Sequence, residues 1–120
     1  MEANFQRIAR SCKTEFEIAR KYYLILFGVN DIHLTKSELD LVAFSAVNGT
    51  LSTPPIKQQF SEEFGIPTAS IYNMIGKLKK LQIIIKDTEH KYRINPIILP
   101  DFALHTDIVL VIKMNREDGA

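Results

Sequence analysis

Lys57, Lys77, Lys79, Lys80, Lys86, Lys91 and Arg93 fall between positions 57 and 93, where the acidic residues are Glu62, Glu63, Asp87 and Glu89, an excess of three positive charges. Interleaved with them are the hydroxyls of Thr68 and Ser70, the phenol of Tyr72 and the amide of Asn73. These groups donate and accept hydrogen bonds or hold anions, which is binding chemistry rather than bond-breaking chemistry. The chain has no phosphate-cradling glycine loop, no nucleophile elbow and no paired histidines at ligand spacing. Glu62 and Glu63 are neighbours, so on a helix they project about 100° apart and do not converge on one atom. Cys12 is the single cysteine, without a partner for a disulfide or a zinc cluster, and His33 and His105 have no evident partner. The expectation is a non-enzyme with no catalytic residues, no metal ligands and no cofactor.

Outside that stretch the balance reverses. Residues 94 to 120 carry two basic and four acidic side chains, and the whole chain has a net charge of only +1. The 120 residues suit one compact domain, and 46% hydrophobic with 24% charged residues is ordinary for a globular protein. No apolar run approaches the roughly 20 residues of a membrane span. The start, Met1-Glu2-Ala3-Asn4, lacks a charged segment leading into an apolar signal core. The default expectation is a cytoplasmic protein without membrane association, in bacterial cytoplasm or in host cytoplasm if phage-encoded.

The elements that must position the basic residues are legible from their ends. Thr14 and Glu17 form a capping box that opens a helix of about 15 to 27, with Gly28 as its stop. Phe16, Ala19, Tyr23, Leu26 and Phe27 line one side of this helix, and Ile18, Tyr22 and Ile25 another. Two apolar stripes read equally as one enveloping core or as burial against a second subunit. Thr35 and Glu38 form a second box, opening a helix of about 36 to 48 with a core stripe of Leu39, Val42, Ala43 and Ala46. Thr50-Leu51-Ser52 is a short extended piece. Thr53-Pro54 starts a helix of about 54 to 64, since proline loses nothing where the amide is unpaired. Gly65 closes it, and Pro67-Thr68 opens another of about 68 to 81. Ile83-Ile84-Ile85, a turn at Asp87-Thr88-Glu89, and Lys91-Tyr92-Arg93-Ile94 form a hairpin. Asn95-Pro96 and Pro100 interrupt regular structure. Ile108 to Ile112 is a continuous apolar run, rich in β-branched residues, that reads as a strand buried on both faces, pairing with residues near 31 to 34, with the N-terminal arm or with another subunit. Residues 1 to 13 and 115 to 120 read as an arm and a tail.

Gly65 supplies the positive φ that a tight interhelical turn requires. Phe60, Phe64 and Ile66 flank it, Ile71 and Met74 answer from the next helix, and Ser61 is small enough for the crossing. Helix, short strand, helix, helix, strand, turn, strand runs from Lys36 to Asn95 without a gap. In this order, and in the phrases Ser70 to Leu81 and Tyr92-Arg93-Ile94-Asn95-Pro96, the chain resembles the winged helix-turn-helix superfamily. It is most similar to small bacterial and phage transcription regulators and to RepL-type plasmid or phage replication initiators. The resemblance covers about half the chain, on pattern rather than invariant signature. It implies an α+β, mainly helical fold: a winged helix-turn-helix core over 35–96, with an N-terminal arm and helix over 1–34 and an extra C-terminal strand and tail over 97–120.

The resemblance also implies double-stranded DNA binding. Ile71, Met74, Ile75, Leu78 and Leu81 would face inward. Thr68, Ala69, Ser70, Tyr72, Asn73, Gly76, Lys77 and Lys80 would then form the recognition surface. Asn73 can pair with adenine, and Lys77 with guanine or phosphate. Thr68 and Ser70 lie where a helix N-terminus attracts phosphate. Gly76 costs helix stability by roughly 1 kcal/mol relative to alanine, and a side chain there would hold the helix off the duplex. Lys86, His90, Lys91 and Arg93 would place the wing against the backbone or minor groove. The plainer readings stand beside these: the lysines as a solvated face, Asn73 and His90 as neutral surface residues, Tyr72 as a cap on the core. Expected partners are duplex DNA and a second copy of the chain, through helix 15–27 or strand 108–112. The competing expectation is a winged-helix protein–protein module or small phage assembly component, which near-neutral charge and surplus apolar faces would suit.

Overall fold

A computed structural model describes residues 14–51, 53–103 and 107–113. The fold is α+β and mainly helical: α1 (Glu15–Val29), α2 (Lys36–Asn48), α3 (Pro54–Phe64), α4 (Thr68–Lys80), β1 (Ile84–Lys86), β2 (Tyr92–Ile94) and a short 3-10 turn at Pro96–Ile98. The strands pair antiparallel, Ile84 opposite Ile94, Ile85 opposite Arg93 and Lys86 opposite Tyr92. The amide of Leu51 and the hydroxyl of Thr50 both donate to the Tyr92 carbonyl, so the extended piece before α3 docks on the hairpin edge.

The helix starts follow local chemistry. Thr14 accepts from the Glu17 amide, and Thr35 and Glu38 complete both halves of their capping box. Pro54 and Pro55 occupy the first positions of α3, where their missing amides cost nothing. The ends of α1, α3 and α4 share one device. A left-handed residue follows the helix, and the next residue, an isoleucine each time, donates back to the last turn: Ile32 to Phe27, Ile66 to Ser61, Ile83 to Leu78. Gly65 fills the left-handed position after α3, as expected, but Asp31 and Gln82 fill it after α1 and α4. The expected stop at Gly28 is therefore corrected: α1 runs through it to Val29.

The core corrects a second expectation. Only one stripe of α2 was assigned inward, yet every residue from Glu38 to Ser45 is buried. Here α1 packs on α2 from one side while α3 and β2 pack from others. The carboxylates so enclosed find cations: Asp40 accepts from the Arg20 guanidinium at 2.6 Å. Phe44, Phe60 and Phe64 stack or meet edge to face beneath the α3–α4 turn.

Of the two apolar stripes on α1, Ala19, Tyr23 and Phe27 are buried against the domain, and Tyr22 lies against Phe102, which folds back from the C-terminal side. The buried Tyr23 hydroxyl donates to the Ile98 carbonyl at 2.8 Å, tying that return segment to α1. Burial first, then the neighbouring Tyr22, holds the Tyr23 phenol above the ordinary value. A phenol raised in the folded state stabilises below its unfolded pKa, and the contribution is lost as pH rises beyond it. Tyr23→Phe is expected to cost about 1 kcal/mol at neutral pH and to blunt the loss of stability above pH ~10. Urea denaturation at the two pH values measures both.

The expected strand at 108–112 is not formed. Residues 107–113 carry no strand, and Val109 and Val111 are each 82% exposed, so burial on both faces is also corrected. The apolar, β-branched-rich run has extended propensity, but among the described residues no strand edge pairs with it. Among the described residues, no helix is long and apolar enough to cross a membrane. The expectations for residues 1–13 (with Cys12), Ser52, His105 and the tail lie outside the described residues.

Candidate functional site

Helix α4 buries Ile71, Ile75 and Leu78 and half-buries Met74, but the expectation for Leu81 is corrected: the helix ends at Lys80, and Leu81, at its C-cap, is 42% exposed. At 3.6 residues per turn the opposite side is an arc with Ala69, Gly76 and Lys80 along its middle. Asn73 and Lys77 lie on one flank of that arc, and Thr68, Tyr72 and Lys79 on the other. Thr68, Ala69, Tyr72, Asn73, Lys77, Lys79 and Lys80 are exposed, and Ser70 and Gly76 are half-buried. Pro67 caps the helix without a side-chain hydrogen bond, so no side chain of the capping position takes the first-turn amides. A Cβ added at Gly76 would meet nothing within 4 Å. Neither packing nor a positive φ calls for glycine there.

The two flanks differ electrically. On one, the Lys77 ammonium donates to Glu38 Oε1 at 2.9 Å. Glu38 is buried and also accepts from the Thr35 amide at 2.8 Å. Burial pushes the Glu38 carboxyl up, but the Thr35 amide and the Lys77 ammonium outweigh it and leave the carboxyl below its usual range. A depressed carboxyl stabilises above the unfolded pKa and loses that contribution as pH falls through the folded one. Glu38→Gln should therefore lower stability at pH 7 and abolish the part of the acid-induced loss that sets in below about pH 4. Denaturation midpoints at pH 7 and in acid read both effects.

On the other flank, side chains from four elements meet. The Lys57 ammonium of α3 lies 4.6 Å above the Tyr72 ring of α4. The Lys79 ammonium lies 4.7 Å from the centre of the Tyr92 ring and donates to its hydroxyl at 3.0 Å. Lys86 of β1 is 5.6 Å from the same ring, within cation–π range. The Lys79 hydrogen bond, then the charges of Lys79, Lys86 and Lys57, draw the Tyr92 phenol below its ordinary value. Among the described residues, Lys57, Lys79, Lys80 and Lys86 have no carboxylate partner within 4 Å, whereas Lys77 does.

The hairpin divides the same way. Lys86 and Tyr92 share a face with the buried Ile84 and Ile94, the face turned to α4. On the other face Arg93 pairs with Asp87, and Lys91 pairs with Glu89 at 3.4 Å. The Lys91 amide first, then the Glu89 amide and the Arg93 guanidinium, holds the Asp87 carboxyl below its ordinary value. His90 is exposed and occupies the left-handed position of the turn, a role in chain direction.

The sequence-derived site therefore separates into groups. Ala69, Asn73, Gly76 and Lys80 come together on an open surface, with Thr68 and Ser70 at its N-terminal end. Lys77, Lys91 and Arg93 are exposed but already ion-paired. Lys57, Lys79 and Tyr92 lie outside the sets expected for the recognition helix and the wing, and the fold brings them beside Tyr72 and Lys86. The alternation that puts Tyr92 beside Lys86 was legible, whereas nothing local brings Lys57 to Tyr72. Two hollows elsewhere among the described residues are small. One of about 210 Å3 is lined by Ala46, Val47 and Phe102, and one of about 200 Å3 by Leu24, Ile32 and His33, below the size of ordinary small-molecule pockets. Among the described residues, no three His, Cys, Asp or Glu side chains gather as a metal site requires. No family model, curated protein or solved structure matches this chain.

Proposed function

We propose that the chain is a winged-helix DNA-binding protein that lays the outer face of α4 into the major groove of a duplex, as a transcription regulator or replication-initiation factor does. The observation that carries this reading is the grouping of Lys57, Lys79, Lys80 and Lys86, all without a carboxylate partner among the described residues, beside an open helix face centred on Gly76. Unpaired cations lower the cost of approach for a polyanion, since no internal ion pair must break first. On this reading Asn73 would contact a base edge, and Thr68 and Ser70 would take a phosphate at the helix N-terminus. Lys80 and Lys86 would bracket the groove, whereas Lys77 serves to hold α4 to α2.

A second copy would bring a second α4 to the duplex, and the exposed Leu24, Ile25 and Val29 of α1 are a candidate surface for that contact. The alternative reading is a winged-helix protein–protein module. It is favoured by the exposed Val109, Val111 and Ile112. Fluorescence anisotropy with mixed-sequence duplex at rising salt separates the two. Nucleic-acid binding predicts a linear fall of log affinity with log salt. Absence of binding at low salt would leave the protein–protein reading.

A further inference from the structure

The flank formed by Tyr72, Tyr92, Lys57, Lys79 and Lys86 goes beyond what duplex reading needs. A phosphate contact requires a cation and a donor, but no exposed aromatic ring. Tyr72 nevertheless stands 61% exposed on the edge of α4, with one ammonium above it. Tyr92, whose phenol also feels the charge of Lys57, is half-buried and engaged through its hydroxyl by Lys79. One ring is thus presented to the outside, and the other is held in place among cations. Aromatic faces beside a run of unpaired lysines are the combination that holds unpaired nucleotides, where the base stacks and the backbone follows the charge.

Resting on the reading of α4 as a nucleic-acid surface, we infer that this flank binds one unpaired nucleotide next to the duplex, its base stacked on Tyr72 and its phosphate among Lys57, Lys79 and Lys86. The ammonium now above the Tyr72 ring belongs to Lys57, whose flexible stem lets it leave the ring for the incoming phosphate as the base takes its place. The preferred nucleic acid is accordingly a junction between double and single strand rather than continuous duplex. Charge complementarity supports the assignment: no carboxylate pairs with any of the three lysines among the described residues.

The test uses the full chain and four labelled probes at one ionic strength: a blunt duplex, the same duplex with a short 3′ or 5′ extension, the same extensions built from abasic nucleotides, and the extension strand alone. One extended duplex should bind at least roughly fivefold tighter than the blunt one, and the abasic version should lose most of that gain. The ratio of extended to blunt affinity should fall toward one in Tyr72→Ala and be kept in Tyr72→Phe. Thermal melting of both variants confirms that the fold is intact. No gain from either extension overturns the inference, and so does an equal gain from the abasic extension, which would mean charge alone. If the blunt duplex does not bind, the reading of α4 fails separately. Tyr72-dependent binding of the single strand would then still support the stacking site, and its absence would overturn that as well.

Discussion

With Lys79, Lys80 and Lys86 all replaced by alanine, affinity for duplex DNA is expected to fall roughly 100-fold at moderate salt, taking each lost charge-assisted contact as about 1 kcal/mol or more. The slope of log affinity against log salt should flatten by about 2.7, three lost phosphate contacts at about 0.9 each. Lys77→Ala is the informative comparison. Its ammonium is committed to the buried Glu38, so the slope should change by less than one contact while the protein loses stability. Lys77 and Lys80 lie one turn apart on the same helix, yet one variant should report on folding and the other on binding. Equal slope changes for Lys77→Ala and Lys80→Ala would show that the ion pair opens at no cost when the partner arrives.

Gly76→Ala should separate stability from binding in opposite directions. The added Cβ meets nothing within 4 Å, and alanine is favoured over glycine inside a helix by about 1 kcal/mol. The variant should therefore be more stable by about that amount in urea denaturation. If a duplex packs against this face, the same methyl group is one too many. A close-packed contact overfilled in this way costs ~1–3 kcal/mol, or roughly tenfold or more in affinity. Gly28→Ala is the control. Gly28 is also helical with open space around it, so it should gain stability similarly, while its added methyl lies on α1, away from the duplex-facing side of α4. Unchanged duplex affinity in Gly76→Ala would mean that α4 does not approach its partner closely.

The parts of the fold legible in the sequence were those governed by neighbours along the chain. The Thr35–Glu38 box, Pro54 at the start of α3 and the left-handed Gly65 mark their helices because each acts within one turn. The end of α1 was misjudged because two residues compete for the left-handed position, and the fold uses Asp31 although glycine pays less for it. The burial of α2 could not be read from its own pattern, since enclosure on several sides is decided by what α1, α3 and β2 bring. The run Ile108–Ile112 shows the converse: β propensity is present, but a strand needs a partner edge. At the site, the inward edge of α4 was legible from its 3.6-residue period. The distinction between Lys77 and Lys80 was not, because Glu38 lies on another helix, 39 residues away. The Lys57–Tyr72 and Lys79–Tyr92 contacts also cross between elements and leave no periodic trace.

The central claim is that the outer face of α4, with the α4-facing side of the hairpin, is where a nucleic acid lies. The most direct measurement is a two-dimensional amide spectrum of the 15N-labelled chain, recorded alone and with stoichiometric duplex at low salt. The account predicts shifts concentrated at Thr68–Lys80, Lys86 and Tyr92, with Leu24–Val29 of α1 and residues 107–113 unmoved beyond any change from dimer formation seen without DNA. Shifts confined to α1 and residues 107–113, or no shifts at α4 under conditions where the duplex binds, would contradict it.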